Sequence, residues 1–262
     1  AVQVSAGASV TADFTGIWTA DITSRNDGST DFATSGFNID LSAIVTGANG
    51  WKITNTGAAA TLIGSALNDT LTGGNQDDTL TGGLGNDSLV GGSGNDLVDY
   101  SVSVSAVNVN LEAGTASGGS GDDRISGVER VTGSDYADTL QGGVGNDTLT
   151  GGLGNDIFTV AKGVDTIADL GNNVDVLVVL AGATANASLA NTWTATAAST
   201  NKGTANLTTT GFSVNLGLIT TDSGWRVTNV GSQTTLTGSG LADTLVGGTG
   251  ADTLRGGAGN DS

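Results

Sequence analysis

Residues 64–99 read GSALNDTLT, GGNQDDTLT, GGLGNDSLV, GGSGNDLVD, four consecutive nonapeptides on the grammar G-G-x-G-x-D-x-U-x, where U is a large apolar residue. Asp69, Asp78, Asp87 and Asp96 recur at intervals of nine, and Leu71, Leu80, Leu89 and Val98 keep the same interval. A short fixed period means stacked identical units. The first six positions of each unit are loop, because paired glycines weaken a strand and serve backbone angles or close approaches that a Cβ forbids. The last three, such as Thr79-Leu80-Thr81, alternate in polarity and make a very short strand with one side chain inward. Two loops and two strands close one coil of eighteen residues. The expected fold is all-β: a right-handed parallel β-roll, or β-helix solenoid.

The same phase returns twice. Residues 133–159 read GSDYADTLQ, GGVGNDTLT, GGLGNDIFT, with Asp138, Asp147 and Asp156 followed by Leu140, Leu149 and Phe158, and Asp165-Thr166-Ile167 holds the register one step further. Residues 238–261 read GSGLADTLV, GGTGADTLR, GGAGND, with Asp243, Asp252 and Asp261. A longer repeat is superimposed: Trp18 and Phe37 return as Trp193 and Phe212 at an offset of 175, and Trp51 returns as Trp225 at 174. The organisation read from these periods is irregular solenoid rungs over 1–60, a first array over 61–99, linking rungs over 100–130, and a second array with a trailing segment over 131–175. Irregular rungs repeating the first set follow over 176–235, and a third, truncated array over 236–262. The pattern runs into Ser262 unfinished, which reads as a piece of a longer chain.

Composition removes several chemistries. With no Cys and no His among 262 residues, disulfides, thiol nucleophiles, zinc and haem sites and histidine-based triads drop out. Eight basic against 26 acidic side chains give a net charge of −18, which repels a polyanion and excludes nucleic acid as a partner. No apolar run approaches the roughly 20 residues of a membrane helix, so no transmembrane segment is expected. No G-x-S-x-G elbow and no phosphate-cradling G-K-[ST] occur. Acidic groups such as Asp122-Asp123, or Asp165 with Asp169 and Asp175, offer paired carboxylates, but they read as calcium-binding or solvated loop residues. The chain is not expected to be an enzyme.

A column of single apolar residues from each side of the coil is too little to offset about 1–2 kcal/mol of backbone entropy per residue. The loops must be held otherwise. Each carries an Asp at its sixth position and carbonyls that glycine leaves accessible, all hard oxygen donors. Calcium takes six to eight such oxygens in flexible geometry, whereas magnesium demands a tight octahedron. Loops nine apart lie on opposite edges of the coil, so an ion bridges loops eighteen apart. This pairs Asp69 with Asp87, Asp78 with Asp96, Asp138 with Asp156, Asp147 with Asp165, and Asp243 with Asp261, while the partner of Asp252 falls beyond Ser262. About eight calcium ions would nearly neutralise the chain.

Kept in phase over tandem copies, GGLGND, GGSGND, GGVGND, GGTGAD and GGAGND, each ahead of an x-U-x strand where the chain continues, resemble the repeats-in-toxin (RTX) family. The resemblance covers somewhat under half of the chain. It implies calcium in the turns of a parallel β-roll and unfolded export of a secreted bacterial protein by a type I system. It carries ligand roles to Asp69, Asp78, Asp87, Asp96, Asp138, Asp147, Asp156, Asp243, Asp252 and Asp261, with carbonyls from Gly73, Gly82, Gly91, Gly142, Gly151, Gly247 and Gly256. Gly64-Ser65, Gly133-Ser134 and Gly238-Ser239 open the arrays with Ser in place of the second Gly, and weaker sites are expected there.

Trp18, Trp51, Trp193 and Trp225 all lie outside the nonapeptides and read as core anchors of wider coils, against the alternative of sugar-stacking platforms. The flanking threonines, such as Thr70 and Thr72, read as ordinary solvent-facing β residues rather than an ice-binding face. The expected role is a calcium-folded spacer of a giant extracellular, secreted or cell-surface RTX protein such as an adhesin, a biofilm protein or a surface-layer protein. Its partners would be calcium ions and neighbouring repeats of the same parent chain. The alternatives are the secretion and folding module of an RTX exoenzyme, or a glycan- or ice-binding module.

Overall fold

The computed structural model describes residues 1–262. It is all-β, without a helix, and no helix long and apolar enough to cross a membrane is present. The chain divides into two compact units, residues 1–132 and 133–262.

In the first unit, Ser9–Phe14, Ser29–Thr34, Lys52–Asn55, Thr70–Gly74 and Ser88–Gly92 pair successively in parallel along one face. Trp18–Thr19, Ile39–Asp40, Thr61–Ile63, Thr79–Thr81, Leu97–Asp99 and Arg130–Thr132 do the same on the other. The register aligns Phe32, Ile53, Leu71 and Leu89 in one buried column and Ile39, Leu62, Leu80, Val98 and Val131 in a second. These are the U residues of the grammar and their equivalents in the irregular coils. One inward side chain per short strand is what alternation along a strand dictates.

The second unit repeats the scheme. Thr148–Thr150, Val164–Leu170, Thr184–Leu189, Thr204–Thr209, Arg226–Asn229 and Thr244–Val246 form one parallel stack, and Thr139–Gln141, Ile157–Val160 and Val176–Val179 another. Trp193–Thr194, Val214–Asn215, Thr235–Thr237 and Thr253–Arg255 form a third.

Coil size follows the inward residue. In the arrays Leu71 pairs with Leu89, eighteen residues on, whereas Phe32 pairs with Ile53 and Val214 with Leu236, steps of 21 and 22. The wider coils enclose the indoles. Trp51, Trp193 and Trp225 are at most 1% exposed, with Phe32 against Trp51 and Trp193 against Trp225. Trp18 is half-buried and stacks on Phe14, ring centroids 4.9 Å apart.

The linking segment departs from the parallel plan. Val107–Asn110 and Thr115–Gly118 pair antiparallel, and Thr115–Gly118 pairs antiparallel again with Asp123–Ser126. The reversal follows from a tight turn: the Asn110 side chain accepts the Ala113 amide, and Gly114 takes φ +69°, a left-handed angle that glycine adopts without a Cβ penalty. Asp123–Ser126 then rejoins the parallel stack beside Ser88–Gly92.

Candidate metal centre

Each nonapeptide loop ends on its Asp, and the eighteen-residue coil sets that Asp directly against the equivalent residue of the coil before. The link runs from backbone to side chain. The amide of Asp69 donates to Asp87 Oδ1 at 2.7 Å, and that of Asp78 to Asp96 Oδ1 at 2.7 Å. In the second unit Asp138 donates to Asp156, Asp147 to Asp165 and Asp243 to Asp261, at 2.8, 3.1 and 2.9 Å. All five pairs expected from the spacing are thus neighbours in a ladder. Asp252 Oδ1 accepts the amide of Thr234.

One oxygen of each carboxylate is spent on that ladder. The other, Oδ2, has no hydrogen-bond partner in Asp78, Asp87, Asp96 and Asp165, although these residues are at most 3% exposed. An unpartnered buried carboxylate oxygen is costly, so these four mark where a counter-charge belongs.

The first glycine of the loop lets a carbonyl and a carboxylate oxygen approach where a side chain would stand between them. A Cβ on Gly73 would lie 2.6 Å from the Gly91 carbonyl oxygen and 2.8 Å from Asp78 Oδ2. Gly64 faces the Gly82 carbonyl and Asp69 Oδ2, Gly133 the Gly151 carbonyl and Asp138 Oδ2, and Gly238 the Gly256 carbonyl and Asp243 Oδ2. Gly142 faces two carboxylates, Asp147 Oδ2 and Asp165 Oδ2. The Gly247 carbonyl already accepts the Asn229 amide at 2.7 Å. Nowhere do three acidic side chains converge. Each loop pair offers one or two carboxylates and main-chain carbonyls, an all-oxygen donor set that suits calcium.

Burial acts on these carboxyls as it must where charge lacks a partner. It pushes Asp69 up to about 6, Asp156 and Asp165 to about 7, and Asp87 to about 8. The ladder amides oppose the rise, and at Asp87 the neighbouring charges of Asp123 and Asp69 add to it. Asp78, Asp96, Asp123 and Asp175 are raised as well, again chiefly by burial.

The array openings differ. Ser65 donates both its amide and its hydroxyl to Asp69 Oδ2, the hydroxyl at 2.9 Å. Ser134 and Ser239 likewise donate amide and hydroxyl to the carboxylates of Asp138 and Asp243. Serine in place of the second glycine therefore supplies a donor where the inner loops of the first array have none.

Four ladder residues lie outside the ligand set read from the nonapeptides, three of them among the acidic groups expected to be calcium-binding or solvated. Asp123 Oδ1 accepts the Asp87 amide, Glu129 that of Asp96, and Asp175 that of Asp156, while Asp169 accepts the amides of Gly151 and Gly152. A signal for Asp123 exists in the sequence, since Gly118–Ser126 reads GGSGDDRIS, a complete nonapeptide. The other oxygen of Asp123 accepts the buried Tyr100 hydroxyl at 2.8 Å.

Comparison with known families agrees with this geometry. The family description of the RTX calcium-binding nonapeptide repeat matches in four copies, at residues 63–98, 113–127, 132–167 and 237–262. The second of these contains GGSGDDRIS. No curated protein matches the chain. The loops, ladders and matched repeats together describe a calcium-binding structural repeat module, a parallel β-solenoid that carries RTX-type nonapeptide repeats.

Proposed function

We propose that calcium ions lie between loops eighteen residues apart, held by Asp69, Asp78, Asp87, Asp96, Asp138, Asp147, Asp156, Asp165, Asp243, Asp252 and Asp261. Carbonyls of the array glycines complete each site, and the ions rigidify the chain as a spacer of a secreted or cell-surface bacterial protein. The observation that carries the reading is the set of buried, unpartnered Oδ2 atoms on Asp78, Asp87, Asp96 and Asp165. A net charge of −18 supports it, because about eight divalent ions would relieve most of the self-repulsion. The spacer role draws on the cassette that recurs at 175 residues, since repeated rigid units lengthen a chain without adding chemistry. Deep burial of Trp51, Trp193 and Trp225 favours core anchoring over sugar stacking.

The array coils would be only marginally stable until the ions bind, at the roughly 10⁻⁴–10⁻³ M typical of extracellular calcium modules. Circular dichroism of EDTA-stripped protein, titrated with calcium and in parallel with magnesium, tests this. A gain of β signal with calcium alone is expected. Full β structure in EDTA, unchanged by calcium, would overturn it.

A further inference from the structure

Four asparagines are buried at the loop corners of the Trp-bearing coils. Asn26 and Asn201 are related by 175 residues, Asn55 and Asn229 by 174, so each cassette holds the same two. Their carboxamides bond in both senses. Asn26 accepts the Gly28 amide and donates to the Gly50 carbonyl, and Asn201 accepts from Gly203 and donates to Gly224. Asn55 accepts from Gly36 and Gly57 and donates to Ala58 O at 2.7 Å and to Asp78 Oδ1 at 2.9 Å. Around the single nitrogen Asn229 Nδ2 lie four oxygens: Ser232 O at 2.6 Å, Gly247 O at 2.7 Å, Asp252 Oδ1 at 3.4 Å and Gly231 O at 3.5 Å.

Those are the surroundings of a small cation, with an amide nitrogen in its place: three carbonyls and a carboxylate turned inward at Asn229, and a carbonyl and a carboxylate at Asn55. In the array loops the same task is divided. The Asp carboxylate accepts main-chain amides, and a separate positive group must answer the oxygens that face one another. A neutral Asn does both, since its carbonyl accepts and its –NH₂ donates twice. None of the four asparagines leaves an orphaned polar atom.

We infer that Asn55 and Asn229 are built-in cation surrogates, which close the calcium columns at the first coil of an array and let the Trp-bearing coils hold together without the ion. This rests on the calcium reading above and adds where the columns begin. Asp78 and Asp252, the carboxylates that these amides contact, are the first of their columns. The surrogate is interchangeable with the ion: an Asp in its place sets oxygen against oxygen, and only a cation restores the site.

The test is the calcium stoichiometry of the full 262-residue chain, by equilibrium dialysis with elemental analysis, for the wild type, N55D, N229D and the double variant, with Asn229→Ala as control. One additional bound ion per Asn→Asp substitution is expected, and none for the alanine control. The Trp emission of the double variant should become calcium-dependent, because Trp51 and Trp225 lie four residues before the two positions. Unchanged stoichiometry, or a double variant that stays unfolded at saturating calcium, overturns the inference. Amide exchange of the wild type in EDTA gives a second reading. Slower exchange at Ile53 and Val227 than at Leu80 and Leu149 supports it, and equal exchange overturns it. A wild type that binds no calcium sinks the calcium reading itself, a result distinct from both.

Discussion

The amide of Asp69 donates to Oδ1 of Asp87, one coil on, at 2.7 Å, while Oδ2 of Asp87 is buried without a partner. One carboxylate thus carries a bond that the fold always has and an oxygen that the fold alone leaves unanswered. Asp87→Asn separates the two. It keeps the acceptor for Asp69 and removes the charge, so the variant should bind one calcium ion fewer. In EDTA it should be more stable than the wild type by about 1–3 kcal/mol, the usual penalty of an unsatisfied buried polar group. Urea melts with and without calcium check it, and a variant destabilised equally in both conditions speaks against the idea.

Gly73 serves the site through space rather than through its backbone angle, since its φ is not in the left-handed region. A methyl there would press on the Gly91 carbonyl and Asp78 Oδ2. Gly73→Ala should therefore cost about 1–3 kcal/mol by overpacking and weaken calcium binding. Gly16 gives the matched control: a Cβ there would meet nothing within 4 Å, and its φ is not left-handed. Gly16→Ala should leave both unchanged. Denaturant midpoints in saturating calcium decide between them.

Much of the fold is legible from period alone. The nine-residue phase of Leu71, Leu80, Leu89 and Val98 dictates the coil, the two columns and the five Asp pairs, because a rigid repeat leaves no freedom in register. Asp123 is harder to see. It stands in phase with the array, 27 residues after Asp96, but residues 101–117 carry no paired glycines, and the hairpin they form hides its return to the ladder. The asparagines give no signal. An Asn beside a loop glycine reads as an ordinary turn former, and only the stacking of coils shows Asn229 ringed by oxygens.

Tyr100 closes the ladder at Asp123. Its hydroxyl is buried and donates to Asp123 Oδ2 at 2.8 Å, so a side chain answers an oxygen of the kind that Asp87 leaves open. Tyr100→Phe keeps the ring in the core and strands that carboxylate, at a cost of about 1–3 kcal/mol. The loss should be larger in EDTA than in calcium, since an ion can take over the vacated oxygen. Thermal melts of the variant in both conditions measure it, and equal losses would mean that no cation reaches Asp123.

Without calcium, acid should stabilise this protein. A carboxyl whose folded pKa lies above its unfolded value of about 3.9 holds its proton more tightly in the fold. Its contribution is full below the unfolded value and is lost as the pH climbs through the folded one. Burial sets Asp69 at about 6, Asp156 and Asp165 at about 7, and Asp87 at about 8. In EDTA the melting temperature should therefore fall between about pH 4 and about pH 8. In saturating calcium the slope should reverse, because protons and cations compete for the same carboxylates and each ion bound releases any proton held there. Melts by circular dichroism across that range, with EDTA and with calcium, should give curves of opposite slope that cross. Parallel curves would mean that these carboxyls are solvated in the cation-free chain and that the ladder forms only once the ions are in place.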